Sequence, residues 1–248
     1  MRHQFLIEIK NVSRFLAGTQ RVKDSGAPEA CWQCCQGEAG FGKSSTLEWH
    51  ATQGGHVYLR AKASWTLTAM MRELVLAVGH QPQGKNNELF YTVLSSLAGS
   101  GRSVIVDEVE HAMRDIHLIE TLRDISDMTL TPIIVAGHSG TSAKLKRHPQ
   151  IFSRLSDVTD FGPAEPADVR LVCDRLAEVK GGKPLHFADD LVAEIHRRTQ
   201  GRIRDIKKAI ANVEAIARRS GVEEIGLADV PVKALTSDGN PSELKRRV

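Results

Sequence analysis

Aromatic residues make up only 5% of this 248-residue chain. So few rings give no stacking platform for single-stranded nucleic acid, whose bases need aromatic faces. Cysteine is scarce as well, with four residues, and three of them fall together in Cys31-Trp-Gln-Cys34-Cys35. A structural zinc site usually needs four ligands, and no second C-x-x-C or H-x-x-x-H follows the cluster. Free cysteine packs as a small hydrophobe, so the cluster is read as buried strand core and no zinc is expected. No apolar run approaches the ~20 residues that span a bilayer, so no membrane partner is expected. The N-terminus, Met1-Arg-His-Gln-Phe-Leu-Ile-Glu8, lacks the apolar core of a signal peptide, and a cytoplasmic location is expected. Neither sign of charge dominates: 33 Lys and Arg stand against 30 Asp and Glu, a net charge of +3. That mildly basic balance permits a nucleic-acid partner without requiring one.

One glycine-rich segment is informative. Gly37-Glu38-Ala39-Gly40-Phe41-Gly42-Lys43-Ser44 fits G-x-x-x-x-G-K-[ST], the pattern of a phosphate-binding loop. Its glycines let the backbone turn tightly, so that several N–H groups point inward at a polyphosphate. A helix opening at Ser44-Ser45 would aim its positive N-terminal end at the same anion. Lys43 adds a point charge near the terminal phosphates, and the Ser44 hydroxyl is a ligand for Mg²⁺. The run Ala30–Gln36 ahead of the loop is short and mostly apolar, as a buried strand would be.

Hydrophobic content of 41% and charged content of 25% are ordinary for a globular protein. The length suits one α/β domain with a small helical appendage. A short helix is expected at Asn11–Leu16 and a turn at Ser25–Pro28. Strands are expected at Cys31–Gln36, Val57–Arg60, Ser103–Val106, Pro132–Ala136 and Asp157–Phe161. Between them, Trp65–Val78, Leu89–Leu97 and the set Ile116, Ile119, Leu122 and Ile125 carry apolar residues at helical spacing. This alternation indicates an α/β fold, a five-stranded parallel sheet covered on both faces. After Phe161-Gly-Pro163 the strand signal stops. Pro166–Lys180, Phe187–Thr199 and Ile203–Ala217 read as amphipathic helices of a small bundle, with a short fourth near Ala228–Leu235. The expected domains are a lead-in at 1–26, a nucleotide-binding core at 27–162, a helical lid at 163–236 and a flexible basic tail at 237–248.

Ser103-Val-Ile-Val-Asp107-Glu108 is an apolar strand ending in two acids. Asp107 in that position can hold Mg²⁺ beside a phosphate loop, and Glu108 can polarise an attacking water as general base.

With these elements in hand, the chain resembles the AAA+ ATPases, specifically the branch of the transposition regulators MuB and TnsC. ExeA-like ATPases and origin-recognition initiators are more distant relatives. The resemblance covers about Val12 to Ala217. It rests on Gly37–Ser44, Asp107-Glu108, Pro132-Ile-Ile-Val-Ala-Gly-His138-Ser139, Ile151-Phe-Ser-Arg154 and Gly201-Arg-Ile-Arg204. It implies that ATP and Mg²⁺ are bound by Gly37 to Ser45 and Asp107, with Ser44 and Asp107 as metal ligands. It implies that His138 or Ser139 is a first sensor of the γ-phosphate. Arg154, with Arg147 as the alternative, would be an arginine finger reaching a neighbouring subunit's nucleotide, and Arg204 a second sensor.

The function implied is an ATPase that assembles as a ring or filament on duplex DNA with little sequence preference. It would regulate transposition by selecting targets and stimulating a transposase. A replication initiator or helicase loader, and an ExeA-like ATPase that remodels proteins without DNA, are the alternatives. Only about 25 residues precede the core, fewer than an independent helix-turn-helix domain needs. DNA contacts are therefore expected from the core or lid. The candidates are Lys62, Lys85, Arg102 and Arg114, along with the basic residues of the late helix, among them Arg202, Lys207, Lys208, Arg218 and Arg219.

Overall fold

The computed structural model describes residues 7–25, 30–177 and 183–235. Residues 26–28 of the expected turn and the expected tail lie outside them. The chain divides into two compact units. The larger holds Arg14–Glu38 and Lys43–Phe161; the smaller holds the chain up to Ser13, Ala39–Gly42 and the chain from Gly162 onward.

The larger unit takes most of α1 (Lys10–Lys23), then β1 (Trp32–Gly37), α2 (Lys43–Gly54), β2 (Val57–Arg60), α3 (Leu67–Ala77), α4 (Asn86–Leu97), β3 (Val104–Asp107), α5 (Ile116–Thr129), β4 (Ile133–Gly137), α6 (Thr141–Leu145), α7 (Pro149–Phe152) and β5 (Leu155–Phe161). Its five strands run in the order β2-β3-β4-β1-β5, and every pairing is parallel. A parallel sheet covered on both faces needs strands that are apolar throughout rather than alternating. Every residue of β3 and β4 is accordingly buried.

Helix α1 is longer than the expected Asn11–Leu16. Val12, Phe15 and Val22 are buried on it, so burial continues past the short apolar patch seen in the sequence. Polar groups fix this helix to the sheet. Gln33, buried in β1, donates from Nε2 to the Phe15 carbonyl at 3.2 Å and to Thr159 Oγ1 at 3.0 Å. Asp157 of β5 is also buried. It accepts from Arg21 Nη2 at 2.6 Å and from Thr159 Oγ1 at 2.6 Å, which offsets the cost of burying its charge.

The cysteine cluster lies in and just before β1, and Cys31, Cys34 and Cys35 are all buried and free. Burial raises the Cys34 thiol to about 12 and pushes Cys35 well above its usual range. Both stay protonated at neutral pH, the wrong form for a metal ligand or nucleophile. Trp32 completes this end of the core. Its ring is fully buried, and its Nε1–H donates to Ser126 Oγ at 3.1 Å while Ser126 donates to the Thr131 carbonyl at 2.9 Å.

The smaller unit contains α8 (Pro166–Leu176), β6 (His186–Phe187), α9 (Asp189–Thr199), α10 (Ile203–Ser220) and β7 (Glu224–Ile225), with 3-10 turns at Leu227–Asp229 and Val232–Leu235. The helices cover a core of Val169, Val172, Leu176, Leu191, Ile195, Ile206, Ile210 and Val213. This unit corrects the purely helical expectation: β6 and β7 form a parallel two-stranded sheet, and Phe187 lies in that strand rather than opening a helix. Two-residue strands are too short to give an alternation signal. Helix α9 starts after them, with Asp189 and Asp190 in its first turn and His196, Arg197 and Arg198 in its last. Both sets complement the helix dipole.

Candidate nucleotide-binding site

The glycine-rich loop joins the carboxyl end of β1 to α2, the edge of a parallel sheet where ligands bind in open α/β folds. Gly40 and Gly42 take φ of 93° and 94°, values that an L side chain rarely adopts. The N–H groups of Ala39, Gly40 and Phe41 donate no hydrogen bond among the described residues. Lys43 opens α2 and curls its Nζ back onto the Gly37 and Glu38 carbonyls at 2.6 and 2.9 Å. Ser44 and Ser45 follow in the first turn. Free N–H donors, a helix N-terminus, an ammonium and a hydroxyl form a donor set suited to a polyphosphate with a hard cation.

Asp107 ends β3 and is buried. Tyr58 of β2 donates its hydroxyl to Asp107 Oδ2 at 3.0 Å, and the Glu108 N–H donates to Oδ1 at 2.9 Å. Both carboxylate oxygens are thus anchored. Burial, followed by the charge of Asp107, pushes the Tyr58 phenol above its usual range, so it remains a donor. No cluster of three or more His, Cys, Asp or Glu able to hold a metal occurs among the described residues. Mg²⁺ does not need one, because it binds through one or two protein oxygens together with phosphates and water.

Glu108 follows with φ of 54°, a left-handed conformation uncommon outside glycine. Its Oε1 lies 3.2 Å from Arg60 Nη2, and its Oε2 lies 3.8 Å from His111 Nε2. His138, just past β4, places Nε2 2.8 Å from Glu110 Oε1 and is well exposed. Ser139 beside it is exposed too. A Cβ at Gly137 would meet Glu110 Oε2 at 2.8 Å and Thr141 Oγ1 at 2.4 Å, so both side chains would have to shift.

Arg154 immediately precedes β5. Its Nε and Nη2 reach Asp127 Oδ1 and Oδ2 at 3.2 and 2.9 Å, a two-point pair within the same chain. Arg147 is exposed and lies after α6. In the smaller unit, Arg204 lies in the first turn of α10, exposed, and its N–H donates to the Gly40 carbonyl at 3.2 Å.

The four basic residues expected to touch DNA are differently placed. Lys62 pairs with Glu73 at 2.6 Å. Arg102 spends its guanidinium on the carbonyls of Gly55 and Ala77, at 2.7 and 3.2 Å. Lys85 precedes α4, and its N–H is capped by Glu88 Oε2 at 2.6 Å. Arg114 is exposed at the end of a 3-10 turn, Ala112–Arg114. In the late helix, Lys208 pairs loosely with Asp205 at 3.8 Å and Arg218 with Glu214 at 4.0 Å.

Sequence reasoning missed Tyr58, Arg60, Glu110 and His111. Tyr58 and Arg60 are successive outward positions of β2, whose Val57 and Leu59 are buried. That alternation was readable, although nothing in it indicates a partner on β3.

A parallel sheet in this strand order, a phosphate loop after β1 and paired acids after β3 define a P-loop α/β fold of the AAA+ type. Residues 33–145 match the family model described as an AAA domain. Solved structures share this fold. Cdc6p from Pyrobaculum aerophilum superposes with a TM-score of 0.65 at 15% identity, over 92% of this chain and 68% of that one. The Aeropyrum pernix ORC2 protein, in ADPNP and ADP complexes, gives 0.65 at 11% identity over 100% and 74%. The Aeropyrum pernix ORC1 protein, in complex with DNA, gives 0.64 at 17% over 95% and 65%. At these identities the likeness is one of fold. No curated protein sequence matches the chain. Family match and fold together support the AAA+ ATPase superfamily. No described helix is long and apolar enough to cross a membrane.

Proposed function

We propose that the chain is an ATP-hydrolysing AAA+ protein that assembles on duplex DNA and regulates transposition. One observation carries the catalytic half: the phosphate loop and the Asp107-Glu108 pair stand at carboxyl ends of strands in one parallel sheet. Gly37 to Ser45 would hold the phosphates, and Ser44 and Asp107 would hold Mg²⁺, which supplies charge neutralisation at the transferred group. Tyr58 keeps Asp107 oriented. Glu108 accepts the proton of the attacking water. His138 senses the terminal phosphate, with Ser139 as the alternative. Arg204 acts as the second sensor, and Arg154 of a neighbouring copy completes the site, for which it must leave Asp127.

Support for the DNA half comes from the resemblance to transposition regulators and from a relative of like fold solved with DNA. In this reading ATP holds a ring or filament on the duplex, hydrolysis releases it, and the transposase is recruited to the bound polymer. A replication initiator or helicase loader is the second reading, favoured by the fold likeness to Cdc6p. The test is gel shift and electron microscopy on duplex DNA with and without a slowly hydrolysed ATP analogue, followed by strand transfer with a candidate transposase. Analogue-dependent polymers that stimulate strand transfer are expected. Equal binding with and without the analogue would break the ATP-coupled reading. Binding without transposase stimulation would favour the initiator.

A further inference from the structure

An open cleft of about 470 Å³ in the larger unit is lined by Glu110, His111, Arg114, His138, Lys144, Arg147 and their neighbours Met113 and His148. Its cations differ from five others in this unit. Arg21, Arg60, Lys62, Arg123 and Arg154 each pair with a carboxylate. Arg114, Lys144 and Arg147 are exposed, and their side chains make no ion pair or hydrogen bond among the described residues. The one carboxylate in the cleft, Glu110, gives Oε1 to His138, and its Oε2 is buried without a partner. Three unpaired cations from two separate connections, one after β3 and one after β4, therefore converge on one surface with little opposing charge.

We infer that this cleft, through Arg114, Lys144 and Arg147, is where the protein grips the phosphate backbone of duplex DNA. The inference rests on the DNA-assembly reading above and moves the contact away from Lys62 and Arg102, whose side chains are already engaged. A pocket for a small metabolite would enclose its polar groups. These cations are solvated and spread along an open cleft, which suits a backbone read by charge alone.

The test is fluorescence anisotropy on duplex DNA with the ATP analogue across a salt series. Variants would be Arg114→Gln, Lys144→Gln, Arg147→Gln, the triple, and Lys146→Gln as a matched control. Lys146 is not among the lining residues and lies over the Phe152 ring at 5.4 Å. Each neutralised contact should lower the log–log salt slope per bound protomer by about 0.9, so the triple should lose roughly 2 to 3. Lys146→Gln should leave the slope nearly unchanged, and analogue binding should be retained in every variant. A wild type that does not bind DNA would defeat the functional reading itself. A wild type that binds, with a triple variant of equal slope, would overturn the cleft alone. So would a triple variant that keeps its slope but loses assembled ATPase activity, because the cleft would then serve a neighbour's nucleotide.

Discussion

Arg60 at the end of β2 holds Glu108 just past β3, with Nη2 3.2 Å from Oε1. The proposed catalytic base is thus tied at the sheet edge by a neighbouring strand. Glu108→Gln keeps shape but removes the base, so hydrolysis should fall by a factor on the order of 10² or more while ATP binding persists. Arg60→Ala frees the carboxylate, and basal turnover should rise. A steady-state phosphate-release assay reads both. Unchanged turnover in Glu108→Gln would place the base elsewhere, and a fall in Arg60→Ala would make Arg60 part of the productive geometry.

Lys43→Ala should abolish tight ATP binding. The ammonium now rests on two loop carbonyls and is the only side-chain cation within the loop motif. Its loss removes the charge expected at the β- and γ-phosphates. Fluorescent-nucleotide titration checks this, and near-wild-type affinity would remove Lys43 from the site.

Arg154→Ala should lose ATPase activity while single subunits still bind nucleotide. Arg154→Lys should rescue poorly, because the two-point geometry now used on Asp127 is a property of the planar guanidinium. Mixing Arg154→Ala with Lys43→Ala subunits offers an intact nucleotide site from one and an intact arginine from the other. Activity should return on mixing. Failure to recover it in co-assembled particles would sink the shared-site reading.

The sheet was legible because its strands are buried runs such as Val104-Ile-Val-Asp107 between helices of clear period, and the phosphate loop because its glycines are demanded by backbone geometry. Strand ends moved by a residue or two, as at β5, which starts at Leu155. Partnerships were not legible. Nothing in the spacing indicates that Tyr58 bonds Asp107, that Arg60 meets Glu108 or that Arg154 turns to Asp127, since these depend on which strands and helices become neighbours. The pair β6 and β7 was hidden because two residues cannot display a period. The basic residues expected to touch DNA were read by sign, and which of them pair with a neighbour depends on the fold.

Gly201→Ala should destabilise the smaller unit by about 1–3 kcal/mol or more. Gly201 has φ of 69°, and a Cβ there would lie 2.6 Å from the Ala164 carbonyl oxygen and 2.7 Å from its nitrogen. Backbone cannot give way as a side-chain tip can, and the Ala164 N–H bond to the Gly201 carbonyl, 2.9 Å, holds the two together. A lower urea midpoint is expected. An unchanged midpoint would mean the turn before α10 relaxes freely.

Stability should also fall in mild acid through His50. Its Nε2 is buried without a partner, its ring packs edge-on to Phe15 at 5.1 Å and against His56 at 4.7 Å. Burial first, then the nearby His56 and Lys23 charges, lower its pKa from 6.5 to about 4. His56 is lowered in the same direction, again mainly by burial. The sign follows from proton counting. Between pH 6.5 and 4 the unfolded chain binds a proton at His50 that the native fold refuses, so acid favours unfolding. The loss should begin as pH drops through about 6.5 and, for this group, level off near 4. His50→Phe removes the titrating group while keeping a ring against Phe15. Urea midpoints at several pH values across that window should decline less steeply in the variant than in the wild type. Parallel declines would show that His50 does not set the acid limit.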